Sequence, residues 1–336
     1  MPDEANPIRP LRLGPVTLAN NLVLAPMHKR THLALRLLAR RAGAALTHTE
    51  MATPEDLLGA GGPRKGGNIL ASCPEDHPLS VQLLPRDPGP LAECIAMLAE
   101  RGPADLVDLN FACPSGRVVG CDRGASFLRE PEKAIPLVET AVRASRLPVT
   151  VKLRYGFTDS EDHQDRAMEL AQGAVAAGAA GVCVHARTAV QLYLGKADWS
   201  VIARWTEALN VPVIGSGDLR TPEAVLAMLR QTRCAGASIA RGCVGAPWIF
   251  RQIIDLAERG RYPDVTPGDR GRALMEHYEG LVRQYGERIG LRLFCQVGRM
   301  YTRGLHGAAE ARVAIQEATG RGDIEDIVER WFGTVT

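Results

Sequence analysis

The sequence has few aromatic residues and no long apolar run. Only 5% of its 336 residues are Phe, Trp or Tyr, and no apolar run approaches the roughly 20 residues that span a membrane. The opening stretch MPDEANPIRPLRLG also lacks the apolar core of a secretory signal. Hydrophobic residues nevertheless make up 46% of the chain, which excludes wholesale disorder. We therefore expect a soluble cytoplasmic protein with a sizeable core.

Cysteine motifs of the metal-binding and redox kinds are missing as well. The eight cysteines include no C-x-x-C pair, and in a long chain without a signal sequence we expect free thiols. His28, His32 and His48 have no carboxylate or thiol at ligand spacing, so we predict no metal site. The net charge of +2 neither requires nor excludes an anionic partner.

What the sequence does contain is a series of short apolar runs that alternate with amphipathic stretches. The predicted strands are residues 22–27, 45–51, 79–84, 106–111, 149–154, 181–187, 211–215 and 237–241. Predicted helices between them include residues 91–101, 131–144, 166–177 and 222–229. Eight strands with interleaved helices over about 250 residues are typical of a (β/α)8 TIM barrel, and a doubly wound sheet is the alternative. Residues 52–78, which contain GAGGPRKGGN, indicate a long lid or binding loop.

After the barrel the pattern becomes purely helical. We expect a barrel domain over residues 1–258 and a small all-helical domain over residues 259–336, with helices at 272–285, 291–302, 310–318 and 324–332. Arg292, Arg299 and Arg303 are spaced i, i+7 and i+11, which places them on one helical face suited to RNA phosphates. Ordinary surface charge on a dimerisation domain is the alternative.

Polar or reactive side chains end nearly every predicted strand, where barrel enzymes place their active sites. The GSGD turn at 215–218 and Arg241 follow the last two strands, where glycine-rich loops commonly bind phosphate, so we predict a phosphate-bearing cofactor. Lys152 lies in an apolar strand and needs a partner, which is either Glu50 or negative charge on a reduced flavin ring. Gln82 can both donate and accept hydrogen bonds, which suits the edge of such a ring.

Cys113 is the most informative thiol. It stands in NFACPSG, where Pro114 ends the strand and puts the cysteine at the mouth of the predicted barrel. An unperturbed thiol has a pKa near ~8.5 and keeps its proton at neutral pH, so it can act as a general acid. A buried structural cysteine is the alternative.

Together, the segments VDLNFACPS, VHARTAVQLYLGKADWSVI, VPVIGSGDL and ASIARGCVGAPWIF resemble the tRNA-dihydrouridine synthase family. The resemblance extends from LANNLVLAPM to YTRGLHGA and so covers most of the chain. It implies an FMN-binding barrel, a helical tRNA-binding domain and NADPH-dependent reduction of uridine in RNA. No dinucleotide fingerprint separates NADPH from NADH. We expect a monomer.

Residue by residue, the resemblance implies that Cys113 is the proton donor and that Lys152 and His185 complete the catalytic set. The implied flavin contacts are Pro26, Met27, His28, Gln82, Lys152 and His185, with Ser216, Gly217, Asp218, Ala240 and Arg241 on the phosphate side. We expect substrate or RNA contacts from Asn110, Arg154, Arg187, Arg292, Arg299 and Arg303.

The chain also departs from the family pattern. The segment after Met27 is usually small and uncharged, but here it reads His28-Lys29-Arg30-Thr31-His32. Other departures are Ala112, Ser216, Asp122 and Arg123. The catalytic set is intact, so we expect the departures to affect the substrate position. An FMN-dependent reductase of a free small substrate and an inactive RNA-binding relative are the alternative functions.

Overall fold

The computed structural model describes residues 6–59 and 69–333. Its centre is a ring of parallel strands, which confirms the predicted TIM barrel. In spatial order, the strand Leu22–Leu24 is followed by Gly236–Ile239, Val213–Ser216, Gly181–His185, Val149–Arg154, Leu106–Asn110, Leu79–Leu83 and Thr47–His48. The ring closes where the Leu24 amide donates to the Leu46 carbonyl and the Ala45 amide donates to the Leu22 carbonyl, both at 2.9 Å.

The strands are short and almost wholly buried, because helices cover their outer faces. They are β3 (Leu22–Leu24), β4 (Thr47–His48), β5 (Leu79–Leu83), β6 (Leu106–Asn110), β7 (Val149–Arg154), β8 (Gly181–His185), β9 (Val213–Ser216) and β10 (Gly236–Ile239). The helices of this part are α1 (Leu33–Arg41), α2 (Pro54–Leu58), α3 (Pro88–Arg101), α4 (Gly116–Val119), α5 (Pro131–Ala144), α6 (Glu161–Ala176), α7 (Trp199–Ala208), α8 (Pro222–Thr232) and α9 (Ile249–Arg259). Short 3-10 turns occur at Pro74–Asp76 and Gly124–Arg129.

An antiparallel hairpin that the sequence did not predict precedes the ring. It consists of β1 (Leu11–Leu13) and β2 (Val16–Leu18). The buried side chains of Leu11, Leu13 and Leu18 form one apolar cluster with residues of the barrel strands. The hairpin thus packs against the barrel core and leaves the polar carboxyl ends of the strands to form the site.

The carboxyl-terminal part of the chain is helical, as predicted. It contains α10 (Pro267–Tyr285), α11 (Glu287–Gly298), a 3-10 turn (Arg299–Thr302), α12 (Ala308–Glu317) and α13 (Arg321–Phe332). Helix α10 lies close against α1, since a Cβ atom on Gly280 would come within 2.7 Å of the Ala34 Cβ. We refer to residues 267–332 as the helical region.

Three local predictions need correction. The predicted helix at 291–302 is two elements, because α11 ends at Gly298 and a tighter 3-10 turn follows. Arg292, Arg299 and Arg303 are all exposed, but they do not share one continuous helix. The predicted strand at 45–51 is reduced to Thr47–His48. Apart from its first residue, the GAGGPRKGGN stretch lies outside the described residues.

Within the described ranges, no helix is long and apolar enough to cross a membrane. All eight cysteines are free.

Candidate active site

A cavity of about 350 Å³ opens at the carboxyl ends of the strands. Its walls bring together residues from nearly every strand end, as a barrel active site requires. Of the predicted site residues, the cavity is lined by Pro26, Met27, His28, Gln82, Asn110, Cys113, Lys152, Arg154, His185, Ala240 and Arg241. Arg30, Met51 and Tyr193 also line it and were not predicted.

A chain of buried hydrogen bonds fixes the orientation of Gln82. The Gln82 Nε2 atom donates to Asp108 Oδ2 at 2.7 Å, and Gln82 Oε1 accepts from Asn110 Nδ2 at 3.0 Å. Thr150 Oγ1 donates to the other oxygen of Asp108 at 2.7 Å. One N–H of Gln82 and one lone pair of its amide oxygen are used in this network. The second N–H of Gln82 is left to donate to a ligand in the cavity.

Asn110 extends this network to the cysteine. Its Oδ1 atom accepts hydrogen bonds from the backbone amides of Ala112 and Cys113, both at 3.0 Å. The Cys113 carbonyl in turn accepts from the Ala125 amide at 3.0 Å. Gly124 allows this approach, because a Cβ atom there would lie 2.8 Å from the Cys113 carbonyl oxygen. The loop that carries the thiol is thus held from both sides.

Burial raises the pKa of the Cys113 thiol, and a hydrogen bond from the Ser115 backbone and the charge of Arg154 oppose the shift without reversing it. The thiol therefore carries its proton at neutral pH, which is the state that a general acid needs.

His185 is neutral and has an unused ring nitrogen. Burial, followed by the nearby charges of Lys152 and Arg154, holds its pKa well below the ordinary value. Its Nε2 atom is buried and has no hydrogen-bond partner in the part of the chain that the structure describes. Such an orphaned polar atom at a cavity wall points to a missing ligand partner.

Lys152 does not form the alternative ion pair with Glu50. Among the described residues, its Nζ atom contacts Cys183 Sγ at 3.6 Å. Glu50 instead accepts a hydrogen bond from the Lys29 backbone amide. Lys152 thus lines the cavity and forms no ion pair with a carboxylate of residues 6–59 and 69–333, so its ammonium group can face negative charge on a ligand.

A smaller niche adjoins the cavity and shares His185, Tyr193, Ala240 and Arg241 with it. Gly217, Asp218 and Gly242 form part of its wall, and so does the buried Ser238. A Cβ atom on Gly242 would meet the Leu219 carbonyl at 2.3 Å, so only glycine fits there. Backbone, hydroxyl and guanidinium groups in such an arrangement suit a phosphate.

The negative charge of Asp218 is already balanced by neighbouring groups. Partial burial works to raise its pKa, but hydrogen bonds from Arg187 and the Ala197 amide outweigh this effect and lower it. The Arg187 bond is 2.6 Å long, and Arg241 lies 3.6 Å away. Asp218 therefore positions the two arginines and does not itself offer a phosphate contact.

Arg154 and Arg187 mainly support loops. Arg187 is only 1% exposed, and it donates to the carbonyls of Leu194 and Gly195 at 3.0 and 2.7 Å. Arg154 donates to the carbonyls of Ala112, Thr188 and Leu192. Burial lowers the pKa of Arg154 to about 10, so it remains charged beside the cavity.

Some predicted site residues lie away from the described cavity and niche walls. Ser216 is buried and pairs through its carbonyl with the Ala186 amide at 3.0 Å. Arg187 is not part of either wall and affects the niche through its hydrogen bond to Asp218, as described above. Arg292, Arg299 and Arg303 are on the exposed surface of the helical region. The sequence analysis did not predict Ser238 and Arg30 as site residues. Two patterns indicate them: Ser238 is a polar residue inside the apolar strand ASIA, and Arg30 belongs to the basic run after Met27.

Across the described ranges, no three His, Cys, Asp or Glu side chains gather in a way that would hold a metal ion.

Comparison with known proteins identifies the family. The model of the dihydrouridine synthase (Dus) family matches residues 23–332. The probable tRNA-dihydrouridine synthase of Rhodobacter capsulatus is 37% identical over 284 residues, which cover 84% of this chain and 85% of that protein. tRNA-dihydrouridine synthase B of Pseudomonas aeruginosa is 35% identical over 304 residues, 90% of each chain.

Solved structures agree on the fold. Morphinone reductase in complex with tetrahydroNAD has a TM-score of 0.54 at 13% identity, with 76% of this chain and 91% of that chain covered. Histamine dehydrogenase from Rhizobium sp. 4-9 has a TM-score of 0.57 at 12% identity, with 82% of this chain and 51% of that chain covered. At these identities the likeness concerns the barrel alone. By sequence, the chain belongs to the dihydrouridine synthase family and is an oxidoreductase of that family.

Proposed function

We propose that this protein reduces uridine in tRNA to 5,6-dihydrouridine, with FMN as cofactor and NADPH as the reductant. The observation that carries the proposal is the protonated Cys113 thiol in one cavity with the donor Gln82, the cation Lys152 and the unpartnered His185 Nε2. A proton donor at a ring-binding cavity is what the addition of two hydrogens across a carbon–carbon double bond requires.

The cavity and its niche fit FMN as a ring joined to a phosphate. Gln82 and His185 would hydrogen-bond the ring, and Lys152 would stabilise negative charge on its reduced form. Gly217, Gly242, Ser238 and Arg241 would hold the phosphate. When bound, reduced FMN supplies the hydride that adds to C6 of the uracil.

Cys113 supplies the proton. Hydride addition at C6 leaves negative charge spread over C5 and O4 of the base, and the thiol protonates C5. The Asn110 hydrogen bonds to the Ala112 and Cys113 amides keep the thiol in place for this step. The resulting thiolate then takes a proton from solvent, so that each turnover consumes one hydride from NADPH and one proton.

The base must leave the RNA stack to enter the cavity. Extrusion costs a few kcal/mol, which contacts between basic side chains and phosphates offset. The exposed arginines of the helical region, Arg292, Arg299 and Arg303, are the candidates for these contacts.

Nucleoside mass spectrometry tests the proposal directly. Unmodified tRNA, incubated with purified protein, FMN and NADPH, should gain two hydrogens on uridine. Cys113→Ala should slow the reaction by about 10²–10⁴-fold, the usual contribution of a general acid. Cys121→Ala is the matched control, since Cys121 is exposed and eight residues away on the same segment.

Two results would contradict the proposal. A Cys113→Ala protein as fast as the wild type would remove the thiol from the reaction. A flavin-loaded protein that oxidises NADPH but leaves uridine in every RNA unchanged would favour the reductase of a free small substrate.

A further inference from the structure

Large apolar side chains that are exposed to solvent are concentrated in one loop. Six such side chains occur in the described ranges, and four of them lie within residues 190–194. Their exposed fractions are 51% for Val190, 45% for Leu192, 57% for Tyr193 and 74% for Leu194. Exposed apolar residues are normally scattered singly, whereas a contiguous group marks an interaction surface. We call Val190, Leu192 and Leu194 the apolar tip.

The apolar tip lies at the mouth of the cavity. Tyr193, between Leu192 and Leu194, lines both the cavity and the niche. Its ring centroid is 4.9 Å from the guanidinium carbon of Arg241 and 5.6 Å from that of Arg154. Leu192 and Leu194 themselves line neither space and are open to solvent. The chain thus forms part of the cavity wall at Tyr193 and presents the leucines before and after it outside the cavity.

Two arginines of the barrel fix the backbone of the apolar tip. Arg154 donates to the Leu192 carbonyl at 2.9 Å, and Arg187 donates to the Leu194 carbonyl at 3.0 Å. Both arginines are buried. The Leu194 amide also donates to the Gln191 carbonyl at 2.8 Å. Because the carbonyls of both leucines are held from the barrel side, the exposure of their side chains is a built feature of the loop.

The polar groups beside the apolar tip favour a partner that carries negative charge. Lys196 is exposed and forms no ion pair within the described part of the chain. Two carboxylates of the adjoining segments are already engaged in hydrogen bonds. Asp159 accepts from Thr188 Oγ1 at 3.2 Å, and Asp198 accepts from the amide and hydroxyl of Ser200 at 3.0 and 2.6 Å. A free cation next to exposed apolar side chains suits single-stranded nucleic acid, because the cation binds phosphates and the apolar groups contact base faces.

Extrusion of a uridine produces a partner of this kind. A base that leaves its stack exposes one face of each neighbouring base to water, and this loss of stacking is part of the cost of extrusion. Apolar side chains at the cavity mouth can cover those faces, since every base has such a face whatever its identity. A second copy of the chain could also cover an exposed apolar surface, but it gives no reason for that surface to adjoin the cavity.

We propose that the apolar tip covers the bases that flank the extruded uridine and so holds the RNA open at the cavity mouth. The inference rests on the proposed function and adds a contact of a different kind to it. The arginines of the helical region would bind phosphates, and the contribution of such contacts falls as salt rises. The apolar tip binds base faces, and the contribution of apolar burial does not depend on the release of counterions.

Equilibrium binding of tRNA to the FMN-loaded protein, without NADPH and at several salt concentrations, tests the apolar tip. The variants are Leu192→Ala, Leu194→Ala and the double variant. Each single variant should weaken binding by about 3- to 10-fold, as expected for apolar area that is partly covered, and should keep the wild-type slope of log affinity against log salt. Leu194→Met keeps an apolar side chain and should bind like the wild type. Val313→Ala is the matched control, because Val313 is an exposed valine on α12, a helix without any of the proposed RNA contacts.

RNA that lacks one base separates a base contact from other effects. Once nucleoside analysis has located the target uridine, each nucleotide next to it is replaced in turn by an abasic one. The loss of affinity caused by Leu194→Ala should shrink towards onefold on at least one of these two RNAs, because both changes remove the same contact.

Several outcomes would overturn the proposal. Wild-type affinity in the double variant would mean that nothing covers the apolar tip in the complex. A reduced salt slope in Leu194→Ala, or an equal loss on both abasic RNAs, would mean that the tip does not contact a base. A wild-type protein that sediments as a dimer, with Leu194→Ala as a monomer, would assign the tip to a second copy of the chain. Because the readout is binding, a failure of this inference leaves dihydrouridine formation intact, whereas a failure of the proposed function is a wild-type protein that forms none.

Discussion

Asn110 joins the two halves of the site, so its replacement tests the arrangement as a whole. Asn110→Ala removes the acceptor of two backbone amides and the donor to Gln82. Asn110→Asp keeps the acceptor but sets a second oxygen against Gln82 Oε1. Gln82 cannot turn its amide around to meet that oxygen, because Asp108 already holds its nitrogen at 2.7 Å. The two variants therefore separate the cysteine loop from the ring contact.

The magnitudes follow from the contacts that are lost. An unsatisfied buried donor costs about 1–3 kcal/mol, and Asn110→Ala leaves two of them. Since the half-buried Cys113 adjoins the cavity, water can reach its amide, and we expect the free energy of unfolding to fall by about 2–3 kcal/mol. A displacement of the thiol by about 1 Å should slow its proton transfer by about 100-fold.

Two half-reactions and urea unfolding provide the assay. In Asn110→Ala, reduction of the flavin by NADPH should keep its rate, and reoxidation by tRNA should slow by about 100-fold. In Asn110→Asp, the affinity for FMN should fall more than the rate of reoxidation does. The role given to this hydrogen-bond network would be refuted if Asn110→Ala slowed both half-reactions equally, or if it slowed neither of them.

Three further predictions concern the niche, the thiol and the helical region. Gly242→Ala forces its loop away from the Leu219 carbonyl and should weaken FMN retention at least about 10-fold. Gly89→Ala is the control and should retain FMN, because no atom lies within 4 Å of its new Cβ. Equal FMN content in the two variants, measured by absorbance, would contradict this. Because burial raises the pKa of Cys113, the rate of tRNA-dependent reoxidation should stay level through neutral pH and decline only at a pH above the ordinary pKa of a thiol. A decline at lower pH would argue against the thiol as the acid. Burial lowers the pKa of His277 to about 3, so as the pH falls this histidine is protonated in the unfolded chain before it is protonated in the folded protein. The free energy of unfolding should therefore fall by up to about 1.4 kcal/mol per pH unit below 6.5. His277→Phe should reduce that slope, measured in acid titrations, by the contribution of one proton.

The sequence predicted the barrel because buried parallel strands leave a strong apolar signal. It failed where an element is too short for a period to show, as in the three-residue strands of the hairpin and the two residues of β4. Helix starts were placed too late at α3 and α10, where the first turns begin at Pro88 and Pro267 and carry few apolar residues. The break at Gly298 arises from packing, since a Cβ there would lie 2.7 Å from the Phe294 ring.

The residues at the strand ends also predicted most of the candidate site, because a barrel brings the carboxyl ends of its strands together whatever conformation the loops adopt. What the sequence could not show is the partner of each polar group. Arg187 meets the carbonyls of residues seven and eight positions later, and Gln82 meets Asp108 from the next strand. The first pairing depends on how the following loop folds back, and the second depends on the register between two strands.

The carboxylate of Asp218 gives the proposed phosphate niche a resident anion. A phosphate that entered would compete with this carboxylate for Arg241, whose Nη2 atom lies 3.6 Å from Asp218 Oδ1. Binding would therefore exchange one anion for another around the same guanidinium group, and would gain less free energy than binding to an unpaired cation. Under the proposed function, Asp218 would thus weaken the hold on the FMN phosphate, and release of the phosphate would leave Arg241 paired.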